Sequence, residues 1–359
     1  LEEKVGQMTQ VTLSVVVDGQ TESAGATPPR PALDSEALRE ALVEHHVGSI
    51  LNVTESALTP KQWRDLIAEI QSVATEETRL GIPILYGIDS VHGANYVTGA
   101  TIFPQNLGLA ATFDPSLARK AAAITARETR AAHLPWNFAP VVDLGREPQW
   151  PRYYETFGED PYLTREMGVA AVEGLEGNDV SQGTRVASTL KHYVGYSGPE
   201  SGLDRTTAQI PERLLRSHYL PPFREAIEAG AKSIMVNSGD VNGIPVHTSE
   251  YLLTDVLRGD LGFDGVVVTD WRDVLKLHDV HHTAETTKEA ARQAIEAGID
   301  MCMVPFDYSF YDDVLALVEE GTVSEDRIDE SARRILRLKA EVGLLEDARP
   351  PSDTGPVNT

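Results

Sequence analysis

A chain of 359 residues can bury about three-quarters of its surface, enough for a full hydrophobic core without cross-links. Its net charge of −24, from 55 acidic and 31 basic residues, repels phosphate backbones, argues against a nucleic-acid partner and suits a neutral or cationic ligand. The lone cysteine, Cys302, excludes an intrachain disulfide, and no apolar run reaches the roughly 18 residues of a membrane span.

The chain starts at Leu1 inside a helix-like run with no secretory leader, so more chain is expected ahead of it. Short apolar segments rich in β-branched residues predict strands near 7–12, 47–53, 82–88, 137–143, 186–192, 232–238, 264–270 and 299–304. Residues 13–35, rich in glycine, proline, serine and threonine, predict a long loop. Helices are predicted between most strands. Asp114 and Pro115 read as N-cap and first helical residue of an alanine-rich helix reaching to about 132. Further helices over 213–229, 285–297 and 324–342 are closed by Gly230, Gly298 and Gly343. Eight strands alternating with helices predict an α/β protein with a parallel sheet, open or closed into a barrel. Residues 346–359 predict a polar, proline-rich tail or linker, and no internal repeat is present.

In a (β/α)₈ barrel the active site lies at the C-terminal ends of the strands, so the residues ending each apolar run carry the functional signal. The third strand ends at Asp89 with His92 beyond it, and the fourth at Asp143, leading to Arg146 and Arg152. The fifth ends at Lys191-His192, the sixth at Asn237-Ser238 and the seventh at Asp270-Trp271. Taken singly, Asp270 and Asp89 could cap helices, Lys191 and His192 could form a structural ion pair, and Trp271 could be core. Five successive strands placing polar groups on one rim point instead to a shared ligand. The set suits a sugar: Asp89 accepts from two adjacent hydroxyls, Lys191, His192 and Arg152 donate, and Trp271 offers an apolar face to a pyranose ring. A carboxylate fixed after a valine run, as at Asp270, can attack an anomeric carbon, and nearby Lys191 and Arg152 would keep it ionised. His92 reads as a support for Asp89. His278, His281 and His282 cluster but read as solvated loop residues rather than a metal site, and no cofactor is called for. Arg127 and Glu128 read as a solvated helix face, and Met235, Met301 and Met303 as core.

At these residues the chain resembles glycoside hydrolase family 3. The matching stretches are EEKVGQMTQ (2–10), GIDSVHGANYVTGATIFPQNLGLAATFDP (87–115), FAPVVDLGREPQWPRYYETFGEDP (138–161), LKHYVGYSG (190–198) and GFDGVVVTDW (262–271). The resemblance implies a single-domain (β/α)₈ TIM barrel over 1–345. It implies a retaining exo-acting β-glycosidase, foremost a β-glucosidase, taking a β-glucoside or short β-glucan. Asp270 would be the nucleophile, Asp89, Arg152, Lys191 and His192 ligands of the terminal sugar, Arg146 a supporting residue and Trp271 a wall on the aglycone side. The VNSGDVNG stretch (236–243) resembles the bacterial β-glucosidase and exo-glucanase branch, which implies a secreted or periplasmic setting. Ser238 stands where many relatives carry tyrosine, so the sugar platform is expected to differ there. The loop YSGPESGLDR lacks the His-Asp pair of the family's single-domain N-acetylglucosaminidases, which disfavours that activity. Two-domain relatives supply the acid/base glutamate from a second α/β domain; within this chain Glu200 and Asp204 are the only local alternatives. A sugar-binding or weakly active isolated barrel is therefore the second reading, and a metal-dependent barrel hydrolase, which lacks an HxH strand motif here, the third. An uncovered surface would suit a second α/β domain or self-association.

Overall fold

The computed structural model describes residues 1–22, 30–52 and 56–349; residues 350–359 of the predicted tail lie outside them. Eight strands form one sheet: β1 (Thr9–Thr12), β2 (Ser49–Leu51), β3 (Leu85–Ile88), β4 (Trp136–Asn137), β5 (Ala187–Tyr193), β6 (Ser233–Val236), β7 (Val266–Val268) and β8 (Cys302–Met303). Each falls inside a predicted segment or overlaps it closely. The pairing is parallel throughout and runs in the order β8-β1-β2-β3-β4-β5-β6-β7. A parallel bridge between Val268 and Met301 joins the two outer strands, with the Thr269 N–H donating to the Met301 carbonyl at 3.0 Å. The sheet thus closes as an α/β barrel, and the strand ends share one rim.

Helices return the chain between strands: α1 (Pro60–Glu76), α2 (Pro115–Ala131), α3 (Pro161–Glu176), α4 (Leu220–Glu228), a wider π-type helix over Tyr251–Asp260, and α5 (Thr287–Ala297). After β8 come α6 (Ser309–Glu319) and α7 (Glu325–Glu341). Local chemistry sets the starts. Thr59 makes a reciprocal cap with Gln62 before α1, and Asp114 and Asp160 accept from backbone N–H groups ahead of the prolines opening α2 and α3. Valines 266–268 are buried on both faces of β7, as a strand between barrel interior and helix layer must be. Inside the barrel Gly87 leaves room for the Phe138 ring, which a Cβ would meet at 2.3 Å.

Two readings need correction. Residues 13–35 do not form an unstructured loop. They begin with a helical turn over Leu13–Val16, continue as the antiparallel hairpin Val17–Glu22 with Arg30–Leu33, and end at Asp34, which caps the next helix. The hairpin's connection, 23–29, lies outside the described residues. Glu128 is not a solvated residue: it is 1% exposed, and its carboxylate accepts from the Thr101 N–H at 2.8 Å and hydroxyl at 3.0 Å. It pins the long loop after β3, a tertiary role that helical spacing does not reveal. Arg127 is exposed, and the three core methionines are buried.

The opposite end of the barrel carries stability chemistry. Asp300, fully buried, accepts from Arg258 at 2.6 Å, from Arg334 at 2.9 Å and from the Val267 N–H at 3.0 Å. Lys339 of α7, also fully buried, donates to Gln7 at 2.5 Å and to the Pro83 carbonyl at 2.7 Å, and burial pushes its ammonium down to about 7. The Ala348 carbonyl meets the His133 ring at 3.1 Å, so the first residues of the predicted tail rest on the barrel. Among the described residues no helix is long and apolar enough to cross a membrane.

Candidate active site

The rim at the C-terminal ends of β3, β4, β5 and β7 holds a cluster of ionisable groups. Lys191, 3% exposed at the end of β5, donates to Asp89 Oδ1 after β3 at 2.7 Å. Asn52, just past β2, holds the other oxygen, Oδ2, at 3.2 Å. Successive strand residues normally face opposite ways. The register of β5 against β6 shifts between Leu190 and Tyr193, and this irregularity lets both Lys191 and His192 serve the same rim.

His192 is buried between two carboxylates. Its Nδ1 lies 2.8 Å from Asp143 Oδ2, which also accepts the His192 backbone N–H at 2.9 Å, and its Nε2 lies 3.7 Å from Asp270 Oδ2. Burial pushes the Asp143 carboxyl up to about 8 and the His192 imidazole well down, so the ion pair is disfavoured. The Asp270 anion favours a hydrogen on Nε2, leaving one proton shared between Asp143 and Nδ1. Nε2 can then donate to a ligand hydroxyl.

Arg152 is fixed by a two-pronged pair with Glu155, both contacts 2.8 Å, and its guanidinium stands 5.6 Å over the Tyr196 ring. Asp89, Arg152 and Lys191, with Glu155, Tyr96 and Gln105, line a cavity of about 270 Å³, near the lower end for small-molecule sites.

Asp270 closes the constellation. It follows the buried valines of β7 and is 8% exposed. Oδ1 accepts the Trp271 N–H at 2.5 Å, while the buried Oδ2 accepts no hydrogen bond. Burial works to raise its pKa, but the charges of Arg152 and Arg205, the Trp271 N–H and the charge of Lys191 outweigh it and hold the carboxyl below its ordinary value. The result is an immobile, ionised carboxylate with one oxygen free.

The remaining predicted residues divide. Trp271 is half-buried, packs against the hydrophobic core and lies edge-on to exposed Phe306 at 5.4 Å. His92 lines the cavity with Asp89 and meets the Phe103 carbonyl through Nδ1 at 2.9 Å. Ser238 is turned away: its hydroxyl donates to buried Asp273 at 2.6 Å. Arg146 and Glu200 are exposed. Asp204 accepts from Tyr196 at 2.6 Å, from Trp150 at 3.1 Å and from Arg205 at 2.9 Å, so its oxygens are occupied. His278 and His282 ring nitrogens face the Ala284 and His278 carbonyls, at 3.2 and 3.0 Å.

Sequence reasoning missed Glu155, Tyr196 and Arg205 as members of the site, and noted Asp143 only as a strand end. Glu155 follows Arg152 by three residues in a turn, a spacing that was a usable signal. Arg205 sits in a loop with no periodicity, and only the fold brings it 3.8 Å from Asp270 Oδ1.

Residues 1–338 match the profile described as the glycosyl hydrolase family 3 N terminal domain. The chain belongs to glycoside hydrolase family 3. This family 3 barrel is 47% identical over 371 aligned residues to the lysosomal beta glucosidase of Dictyostelium discoideum, covering 99% of the chain and 44% of that protein. It is 32% identical to the periplasmic beta-glucosidase of Salmonella typhimurium, over 100% of the chain and 43% of the relative. The crystal structure of a beta-glucosidase from Listeria innocua in complex with isofagomine matches 99% of this chain and 46% of its own at TM-score 0.84 and 33% identity. An exo-1,3/1,4-beta-glucanase from a Pseudoalteromonas species matches at TM-score 0.85 and 34% identity, over 98% of this chain and 54% of that one. The family 3 barrel therefore spans about half the length of these relatives, and its fold is theirs.

Proposed function

We propose that the chain is the sugar-binding, nucleophile-bearing barrel of a retaining exo-acting β-glucosidase. The observation that carries this reading is the free Oδ2 of an ionised, rigidly held Asp270. The names of the relatives support the substrate class. Asp89, with Lys191 and Arg152 beside it, takes the outer hydroxyls of the terminal glucose, and His192 Nε2 donates to a further one. Oδ2 attacks the anomeric carbon, the aglycone oxygen leaves with the bonding pair, and a glycosyl ester forms. Water cleaves the ester by a second inversion, so configuration is retained. Trp271 and Phe306 wall the outer side, and Arg146 lends positive charge at the rim.

A retaining site needs a second carboxyl about 5–5.5 Å from the first. Asp204 and Glu155 are held by Arg205 and Arg152, and Asp273 by Ser238 and Lys276. Glu200 is the local carboxyl without such a commitment, but it lies exposed on its loop. These commitments favour an acid/base from elsewhere in a full-length protein, a second α/β domain or partner copy. They also favour a second reading, in which the barrel by itself binds sugar and turns over slowly.

A dinitrophenyl deoxyfluoro-β-glucoside tests the nucleophile directly, because its leaving group needs no acid. Mass spectrometry of the digested protein is expected to find one deoxyfluoroglucosyl group on the Asp270 peptide. Binding of glucose without labelling would favour the purely sugar-binding barrel. General acid catalysis is worth roughly 10²–10⁴-fold for poor leaving groups. The chain by itself is accordingly expected to cleave a nitrophenyl glucoside at least about 10²-fold faster than cellobiose, and comparable rates would place the acid within this chain.

A further inference from the structure

We infer that Arg205 is a further positioning residue for the reaction, setting its guanidinium beside Asp270 Oδ1 so that Oδ2 is the oxygen that attacks. The inference rests on Asp270 being the nucleophile, and extends it to a residue on a different loop.

The Arg205 guanidinium is shared between two carboxylates. Nη1 donates to Asp204 at 2.9 Å, and Nη2 reaches Asp270 Oδ1 at 3.8 Å. Asp204 is itself clamped by the Tyr196 hydroxyl and the Trp150 indole N–H, so the anchor behind Arg205 is rigid. Tyr196 in turn packs edge-on against the His192 ring at 4.8 Å, tying the anchor to the sugar side of the site. Nε of Arg205 is buried without a hydrogen-bond partner, a donor available inside the site. The backbone at Arg205 adopts φ 57°, a left-handed conformation that a side-chain-bearing residue disfavours. The surrounding contacts hold the residue there and aim its side chain inward.

The two oxygens of Asp270 are thereby made unequal. Oδ1 faces the Trp271 N–H and Arg205, whereas Oδ2 has neither and faces His192 Nε2. In the glycosylation step a lone pair on Oδ2 forms the bond to the anomeric carbon, and the aglycone bond breaks with its pair going to the leaving oxygen. Oδ1 becomes the ester carbonyl, still accepting the Trp271 N–H and facing the Arg205 cation. With a dinitrophenolate leaving group no proton moves.

Asp270 is faced by Arg152 from the loop after β4, by Lys191 and His192 from β5 and by Arg205, with Asp273 and His247 also within its electrostatic reach. Arg152 contributes the larger charge effect, but among the described arginines and lysines Arg205 is the one within 4 Å of an Asp270 oxygen, Nη2 to Oδ1 at 3.8 Å. The test is the pH dependence of covalent labelling by a dinitrophenyl deoxyfluoro-β-glucoside, comparing wild type with Arg205→Gln. Labelling fails as pH falls through the Asp270 pKa. Loss of a cation beside a carboxylate raises that pKa by about one unit or more, so the acid limb of the variant is expected at higher pH by that amount. At the wild-type midpoint the variant then labels about fivefold more slowly. An unchanged acid limb in a folded Arg205→Gln protein overturns the role of Arg205 while leaving the nucleophile intact. Absence of labelling on wild-type Asp270 sinks the underlying reading instead. If Arg205→Gln does not fold by circular dichroism, Arg205→Lys decides. Lysine keeps the cation, so its acid limb is expected to stay within a few tenths of a pH unit of wild type; a rise of about one unit in this charge-retaining variant overturns the inference.

Discussion

Asp270→Ala is expected to lower kcat for a nitrophenyl β-glucoside by on the order of 10⁴-fold or more, because no other group can form the covalent intermediate. The substitution leaves Arg152, Arg205 and Lys191 directed at a space that has lost its anion. That space should attract a small anion. Azide added to the variant is expected to restore cleavage of the nitrophenyl glucoside and to yield an α-glucosyl azide, since it attacks from the face Asp270 occupied. Unaltered kcat in the variant, or a β-glucosyl azide as the product, would place the nucleophile elsewhere. Binding should survive, because Asp89, Arg152 and Lys191 are held by partners other than Asp270: Asn52, Glu155 and Asp89 itself. Calorimetric titration with glucose separates the two effects.

The barrel was legible in the sequence because its strands are short apolar runs rich in β-branched residues, five of them ending in polar residues, and several helices carry their own caps. The segment 13–35 was not, because a hairpin outside the main sheet has the same turn-forming composition as a loop. The proposed sugar ligands were legible for a geometric reason: parallel strands of one barrel end on one rim, so the residues that close the runs are the candidates by position. That rule finds Asp89, Lys191, His192 and Asp270. It says nothing of residues that reach the rim from loops, which is why Arg205 and Tyr196 emerge only in the folded protein, whereas Glu155 is betrayed by its spacing from Arg152. It also cannot orient a side chain. Ser238 closes the predicted segment 232–238, two residues past β6, yet its hydroxyl is satisfied by Asp273. Asp143 shows the converse: it closes the predicted segment 137–143, six residues past β4, and acts behind His192 by holding the ring through Nδ1.

The far end of the barrel should respond to substitution in the opposite manner. Asp300, at the entry to β8, gathers Arg258 from the helix before β7, Arg334 and Ser331 from α7 and the Val267 N–H from β7, with Arg327 at 3.7 Å. One carboxylate thus joins two strands, the helix ahead of them and the last helix, at the seam where the barrel closes. Asp300→Ala strands buried guanidinium groups without their anion and leaves the Val267 N–H unpaired. Removing one member of such a buried set costs about 3–5 kcal/mol, because the charges left behind stay desolvated. For a domain of this size, at about 2.1 cal/mol/K of unfolding entropy per residue, that corresponds to a fall in Tm of roughly 4–7 °C. The Asp270 labelling rate at 25 °C should stay within about twofold of wild type, because stability at this face is separate from chemistry at the other rim. Asp300→Asn, which retains one acceptor oxygen and can still take the Val267 N–H or one arginine, is expected to lose less. Differential scanning calorimetry on the three proteins, with labelling measured in parallel, checks both halves. An unchanged Tm for Asp300→Ala would mean that the desolvation of these charged groups had cancelled their mutual attraction.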